Sequence, residues 1–174
     1  MLRLSGRLAP LALAALPAAA LAALSAEEVV AEAGKLPRVT PGLYRTTLEV
    51  LEVDAPSASK EEAESLQSAM GSKGEAAEEA CVTPEDAAIA PGDELVGEIL
   101  ADRCTFDHIR VSGEAISAIV QCPAGADLPS RVKMNGRVGA EGMQLMLTVE
   151  QELAGQEPIR ISMRVSTERL GDFP

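Results

Sequence analysis

Aromatic residues are nearly missing from this chain of 174 residues: Tyr44, Phe106 and Phe173 are the whole set, with no tryptophan. Base-stacking platforms and aromatic sugar-binding clefts need several rings side by side, so neither is expected. His108 is the lone histidine, so any triad or His-ligated zinc site would have to be built from it and carboxylates. Its expected place is an exposed or half-buried position on a strand. Positive charge is scarce as well. Against 27 Asp and Glu stand 15 Lys and Arg, for a formal net charge of −12. Nucleic acid and anionic lipid both demand a basic surface, so neither is an expected partner. The acidity reads as solubility. No C-x-x-C pair occurs among the three cysteines, which removes the thiol–disulfide oxidoreductase class. Nothing resembles a phosphate loop, and Gly139, Gly142 and Gly155 read as turn residues.

What is present begins with a leader. Arg3 and Arg7 precede Leu8 to Leu24, an uncharged stretch built almost wholly of Leu and Ala. Ala23 and Ser25 then stand at the spacing a signal peptidase accepts, with Glu27 and Glu28 just beyond. The expectation is an export signal, residues 1–25, cut after Ser25 or Ala26. Pro10 and Pro17 interrupt the run, and it falls short of the ~20 apolar residues that span a bilayer. No cysteine lies in it, which excludes lipoprotein modification, and no later run is long enough to cross a membrane. Loss of Arg3 and Arg7 takes the net charge from −12 to −14. The expected product is a periplasmic single domain, 41–174, behind a flexible lead-in, 26–40, with no transmembrane segment after processing.

The domain divides into a helical front and a strand-rich back. Pro41-Gly42 opens a β-like run over 42–53. Ser59-Lys-Glu-Glu62 reads as a capping box, and Ala63, Leu66 and Met70 follow at helical spacing until Gly71 and Gly74. Thr83-Pro84-Glu85-Asp86 is a second helix start. Residues 92–102 fit neither pattern. From there the period changes to two. Val132, Met134 and Val138 alternate with Arg131, Lys133 and Arg137. Met143, Leu145, Leu147, Val149 and Leu153 form a second set, and Ile159, Ile161, Met163 and Val165 a third. A two-residue loop at Ala140-Glu141 sets Val138 opposite Met143, Met134 opposite Leu147 and Val132 opposite Val149. A loop over 154–158 sets Leu153 opposite Ile159 and Val149 opposite Met163. Every apolar residue then shares one face, which a one-residue slip would destroy. The other face brings Arg131 near Glu150 and Arg160 near Glu152, as solvated cross-strand pairs. The expected fold is α+β: a curved antiparallel β-sheet meander of about six strands with one or two helices packed on it. The strands fall near 42–53, 104–111, 115–122, 130–139, 143–153 and 159–169, with a helical segment at 58–80.

Export makes a disulfide chemically available. Cys104 and Cys122 flank two β-like runs around Ser112-Gly113, and both lie equidistant from Gly113. A hairpin with a three-residue loop brings them face to face. A two-residue loop sends them to opposite faces unless a bulge intervenes. A Cys104–Cys122 bond is expected, stabilising by roughly 3 kcal/mol. Cys81 is then an unpaired thiol, either buried and inert or available to a partner.

Four blocks carry a family resemblance: Pro41-Gly42-Leu43-Tyr44, Cys81-Val82-Thr83-Pro84-Glu85, the Cys104…Cys122 hairpin, and Arg169-Leu170-Gly171-Asp172. Over roughly residues 36–174 the chain resembles the exported bacterial family called Domain of Unknown Function 3617. Where that family usually carries a fourth cysteine, this chain has Phe173. A first-with-fourth pairing, if the resemblance implies one, leaves Cys81 without a partner here. The resemblance brings no established activity.

Sharper chemistry finds little footing. Glu85 and Asp86 lie in a helix first turn, where carboxylates favour the dipole. Met134, Met143 and Met163 belong to the apolar face, with Met146 alone pointing away, too few converging thioethers for copper(I). No catalytic, cofactor-binding or metal residue is assigned, and no cofactor is expected. The expectation is a non-enzymatic binding or interaction module of the cell envelope, its partner an envelope protein or an apolar small molecule. The alternatives are a carboxylate-dependent envelope hydrolase and an apolar-ligand carrier.

Overall fold

Alternation at period two is realised as a single sheet. The computed structural model describes residues 23–69, 76–89, 97, 103–123, 130–152, 155 and 157–172. The leader through Ala22, nearly all of the 92–102 stretch, Leu153 and Phe173 lie outside these residues. The strands are β1 Gly42–Asp54, β2 Ala76–Val82, β3 Thr105–Ser112, β4 Ala115–Cys122, β5 Ser130–Gly139, β6 Gly142–Gln151 and β7 Ile159–Gly171. Their order is β2-β1-β7-β6-β5-β4-β3. All neighbours are antiparallel. β3 to β7 form an up-and-down meander, and the N-terminal β1 docks beside the C-terminal β7. The helices are α1 Ala26–Ala33, α2 Lys60–Ala69 and α3 Pro84–Ala88.

Among the described residues there are seven strands, against the expected six or so. The extra one is β2, which overlaps the end of the segment 58–80 expected to be helical; among the described residues of that segment, Lys60–Ala69 is helix. Its sequence, Ala76-Ala-Glu-Glu-Ala-Cys-Val82, is rich in strong helix formers. Pairing along β1, from Gly42 opposite Val82 to Leu48 opposite Ala76, overrides that preference. α2 does start at the expected capping box, Ser59 N–H reaching the Glu62 carboxylate at 2.8 Å.

The lead-in 26–40 is also corrected, because it opens with a helix that closes the core. Ser25 caps α1, its hydroxyl accepting from Glu28 N–H while the Glu28 carboxylate accepts from Ser25 N–H at 2.8 Å. Val29, Ala33 and Leu36 recur at helical spacing and are buried among Phe106, Ile109, Val111, Ile116, Ala118, Val120 and Met134. Phe106 and Val29, each 1% exposed, lie at the centre. Burying a side chain of that size contributes about 1.5–3 kcal/mol. The core therefore sits under α1, on the β3–β4–β5 half of the sheet.

Register follows the sequence pattern through the first hairpin of the meander's back half. Val138 faces Met143, Met134 faces Leu147 and Val132 faces Val149, around a loop at Ala140-Glu141. The β6–β7 pairing differs by two residues. Val149 faces Ile161 rather than Met163, and Arg160 faces Glu150 rather than Glu152. An even shift preserves which face each side chain takes, so the hydrophobic pattern alone does not choose between the two registers.

Candidate functional site

The four sequence blocks are far apart in the chain, and three of them meet at one corner of the sheet. Leu43 of β1 is flanked by Cys81 of β2 on one side and Gly171 of β7 on the other. Gly42 runs at φ +153°, and a Cβ there would stand 2.4 Å from the Gly171 carbonyl oxygen. Only glycine fits so close a backbone approach. Arg169 donates Nε and Nη2 to the Pro41 carbonyl at 3.1 and 3.0 Å, and pairs with Asp172. Tyr44, 4% exposed, donates its hydroxyl to the Thr40 carbonyl at 2.6 Å, with the Ala140 carbonyl at 3.1 Å. Burial pushes the Tyr44 hydroxyl pKa up; nearby Arg169 opposes that and Glu141 adds to it. Tyr44 and Arg169 each satisfy backbone near the β5–β6 turn or the start of β1. The corner is a clasp that holds β1 to the rest of the sheet.

Cys104 and Cys122 form the disulfide, with Cα atoms 4.1 Å apart. The route to it differs from the three-residue-loop hairpin. Ser112 pairs with Ala115, so the loop is Gly113-Glu114, and a bulge at Asp107 restores the parity that brings the cysteines together. Gly113, at φ +61°, takes the first loop position, where a II′ turn favours glycine. The same bulge separates two residues expected on one face. Phe106 points into the core, whereas His108 is exposed on the opposite side, its Nε2 3.3 Å from Ser117 Oγ. Cys81 is a free and exposed thiol on β2.

The solvent face is laced by charge. Lys133 reaches Glu150 at 2.9 Å, Arg160 reaches Glu150 at 3.4 Å and Asp54 at 3.5 Å, and Arg164 reaches Glu49 at 2.8 Å. A shallow cleft of about 340 Å³ lies on this face, lined by Gln121, Cys122, Ser130, Arg131, Glu150, Glu152 and Pro158. Its central acid is committed. The Lys133 hydrogen bond holds the Glu150 carboxyl below the usual range; burial opposes it, and the Lys133 charge and Arg160 add to the lowering. Asp86, which sequence pairs with Glu85, accepts from Thr83 hydroxyl and N–H and is likewise held low. Glu28 and Glu62 are held low by their capping serines, and Glu32 by Lys35 and then by Val111 N–H. A glycosidase acid needs its pKa raised, the opposite direction. Among the described residues no three His, Cys, Asp or Glu side chains converge as metal ligands. Nor is any helix there long and apolar enough to cross a membrane.

A second feature of the sheet is graded burial of its apolar face. Under α1 the side chains are fully enclosed. On β6, β7 and β1 the continuation of that face is half-buried: Leu145, Leu147 and Val149, then Ile161, Met163 and Val165, then Val50 and Val53. Met134 is buried, Met143 and Met163 are half-buried on this face, and Met146 is 40% exposed on the other. Sequence reasoning missed α1. The signal was present, since Ser25-x-x-Glu28 is a capping box and Val29, Ala33 and Leu36 follow at four- and three-residue spacing.

Fold and clasp together define an α+β domain built on one open antiparallel sheet, pinned by a hairpin disulfide. The family model described as Protein of unknown function (DUF3617) matches residues 39–172, and the chain belongs to that family. No curated protein and no solved structure matches it.

Proposed function

We propose that this protein is exported to the cell envelope and works there as a non-enzymatic binding module. The observation that carries the reading is the gradient along the apolar face, enclosed under α1 and half-open across β6, β7 and β1. An apolar surface left partly in water favours association, because removing it from water releases about 25 cal/mol per Å². The leader supports export, and the Cys104–Cys122 disulfide belongs with an oxidising compartment. Against catalysis stand Glu28, Glu62, Asp86 and Glu150, whose carboxylates are tied into helix caps and cross-strand pairs. The partner is an envelope protein or an apolar small molecule. Native mass spectrometry of the protein purified from its own envelope tests the reading. An adduct of lipid mass identifies a ligand carrier, and a heteromeric complex identifies a protein partner. Turnover of an envelope polymer, abolished by changing one acid such as Glu150, overturns the non-enzymatic reading.

A further inference from the structure

The last two small-x-small frames of the leader end at Ala22 and Ser25, and composition does not choose between them. Ala23-Leu24-Ser25 directs a cut after Ser25, and Ala20-Leu21-Ala22 directs one after Ala22. The fold distinguishes them. Leu24 donates its backbone N–H to the Phe106 carbonyl at 2.8 Å, on the outer edge of β3. Its side chain packs against the buried cluster. Ser25 supplies the N-cap of α1: its N–H and its hydroxyl each lie 2.8 Å from the Glu28 carboxylate, and the hydroxyl accepts from Glu28 N–H at 3.3 Å. A cut after Ser25 discards all of these bonds. It also leaves a free ammonium on Ala26, at the positive end of the helix, where the dipole repels it. A cut after Ala22 keeps them all and sets the new charge on exposed Ala23, outside the helix.

We infer that the processing site is the Ala22–Ala23 bond, three residues upstream of the frame that ends at Ser25, so that Leu24 and Ser25 begin the mature fold. This rests on the export reading. Chemically the step is a hydrolysis by an envelope signal peptidase: the Ala22–Ala23 amide breaks, water supplies the oxygen of the Ala22 carboxylate, and Ala23 leaves with an ammonium. The retained residues also have a task. Leu24 and α1 cover the β3 edge, which would otherwise offer bare backbone groups to another strand.

Intact-mass and N-terminal sequencing of the full-length gene product, recovered from the envelope of the producing cell, tests it. The expected terminus is Ala23. A terminus at Ser25 or later overturns the inference and leaves export standing. Another cut within the leader also overturns the assigned bond. A chain starting at Met1 in the cytosol fails the export reading itself. Two variants give an independent readout. Ala22→Leu, placing a bulky side chain before the cut, should accumulate precursor or shift the terminus, whereas Ser25→Leu should leave the Ala23 terminus unchanged. The reverse pattern overturns the inference.

Discussion

Glu32 of α1 accepts the backbone N–H of Val111 on β3 at 2.9 Å, so a side chain from the first helix does the work of a missing neighbouring strand. β3 is the last strand of the sheet on that side. Its edge is thus answered twice by one short segment, once by Leu24 N–H on the Phe106 carbonyl and once by Glu32. Lys35 pairs with Glu32 and helps to hold it in place. The opposite edge, β2, is protected differently, by its short length and the exposed charges of Glu78 and Glu79.

Removing the Glu32 carboxylate should free the Val111 amide. Glu32→Ala is expected to speed hydrogen exchange at Val111 more than at Ala118, which lies inside the sheet. Glu32→Gln, which keeps an acceptor oxygen, should recover part of the protection. Equal exchange at Val111 in all three proteins would show that the carboxylate does not guard this edge.

Acid should weaken the fold for the same reason. Glu28, Glu32, Glu62, Asp86 and Glu150 all have pKa values held below their ordinary range by hydrogen bonds in the folded state. A depressed pKa means that the unfolded chain binds protons first, so the stabilisation is complete above the unfolded values. It is lost as pH falls from about 5 through the folded values. Urea midpoints measured at pH 7 and pH 3 should fall toward acid. Glu150→Gln should make that fall shallower.

The disulfide should act on the unfolded chain. Cys104 and Cys122 are 18 residues apart, and releasing that loop is expected to remove about 3 kcal/mol. Cys81→Ser, at an exposed edge position, should change stability by no more than about 0.5 kcal/mol. Urea denaturation with and without reductant checks both. A reductant effect that vanishes in Cys81→Ser would assign the bond to the wrong pair.

How much of this was legible in sequence varies with the kind of constraint. The hairpin at Ala140-Glu141 could be read to the residue, because alternation fixes the face and a two-residue turn fixes the offset. Across β6–β7 the loop is longer and its offset free, so the face was right and the partner of Val149 was not. β2 could not be read at all. Its Ala and Glu residues favour helix, and only the distant strand β1 makes it extended. The Asp107 bulge lay in between: parity required either an odd loop or a bulge, and sequence did not choose. α1 was hidden by its position, since a segment just after an expected leader reads as a tail. Of the clasp, its blocks were visible as motifs, yet their meeting depends on β1 docking against β7.

The bulge makes a sharp contrast between neighbours. Phe106→Ala should cost about 3–5 kcal/mol, because it empties the centre of the core under α1. His108→Ala, two residues on and on the solvent face, should stay within about 0.5 kcal/mol. Thermal or urea unfolding of the pair measures the difference. Comparable losses at both positions would mean that His108 shares the buried face, and that Asp107 is not bulged.

The clasp separates a steric constraint from a hydrogen-bond one. In Tyr44→Phe the ring still fills its place and only the hydroxyl is lost. The Thr40 carbonyl then gives up a 2.6 Å bond, for an expected loss of about 1 kcal/mol. In Gly42→Ala the new methyl would stand 2.4 Å from the Gly171 carbonyl oxygen and 2.7 Å from Arg169 Nε. The Arg169 side chain can swing aside, but the Gly171 backbone moves only if β1 and β7 separate there. Backbone strain at φ +153° adds to that, so the loss should exceed that of Tyr44→Phe by about 1–3 kcal/mol. Equilibrium unfolding gives the two totals, and hydrogen exchange along β1 gives their location. Gly42→Ala should raise exchange most at the Leu43–Gly171 end of the strand pair. A Gly42→Ala protein as stable as the wild type would show that β1 and β7 do not approach so closely, and that the clasp is looser than the Gly42–Gly171 contact requires.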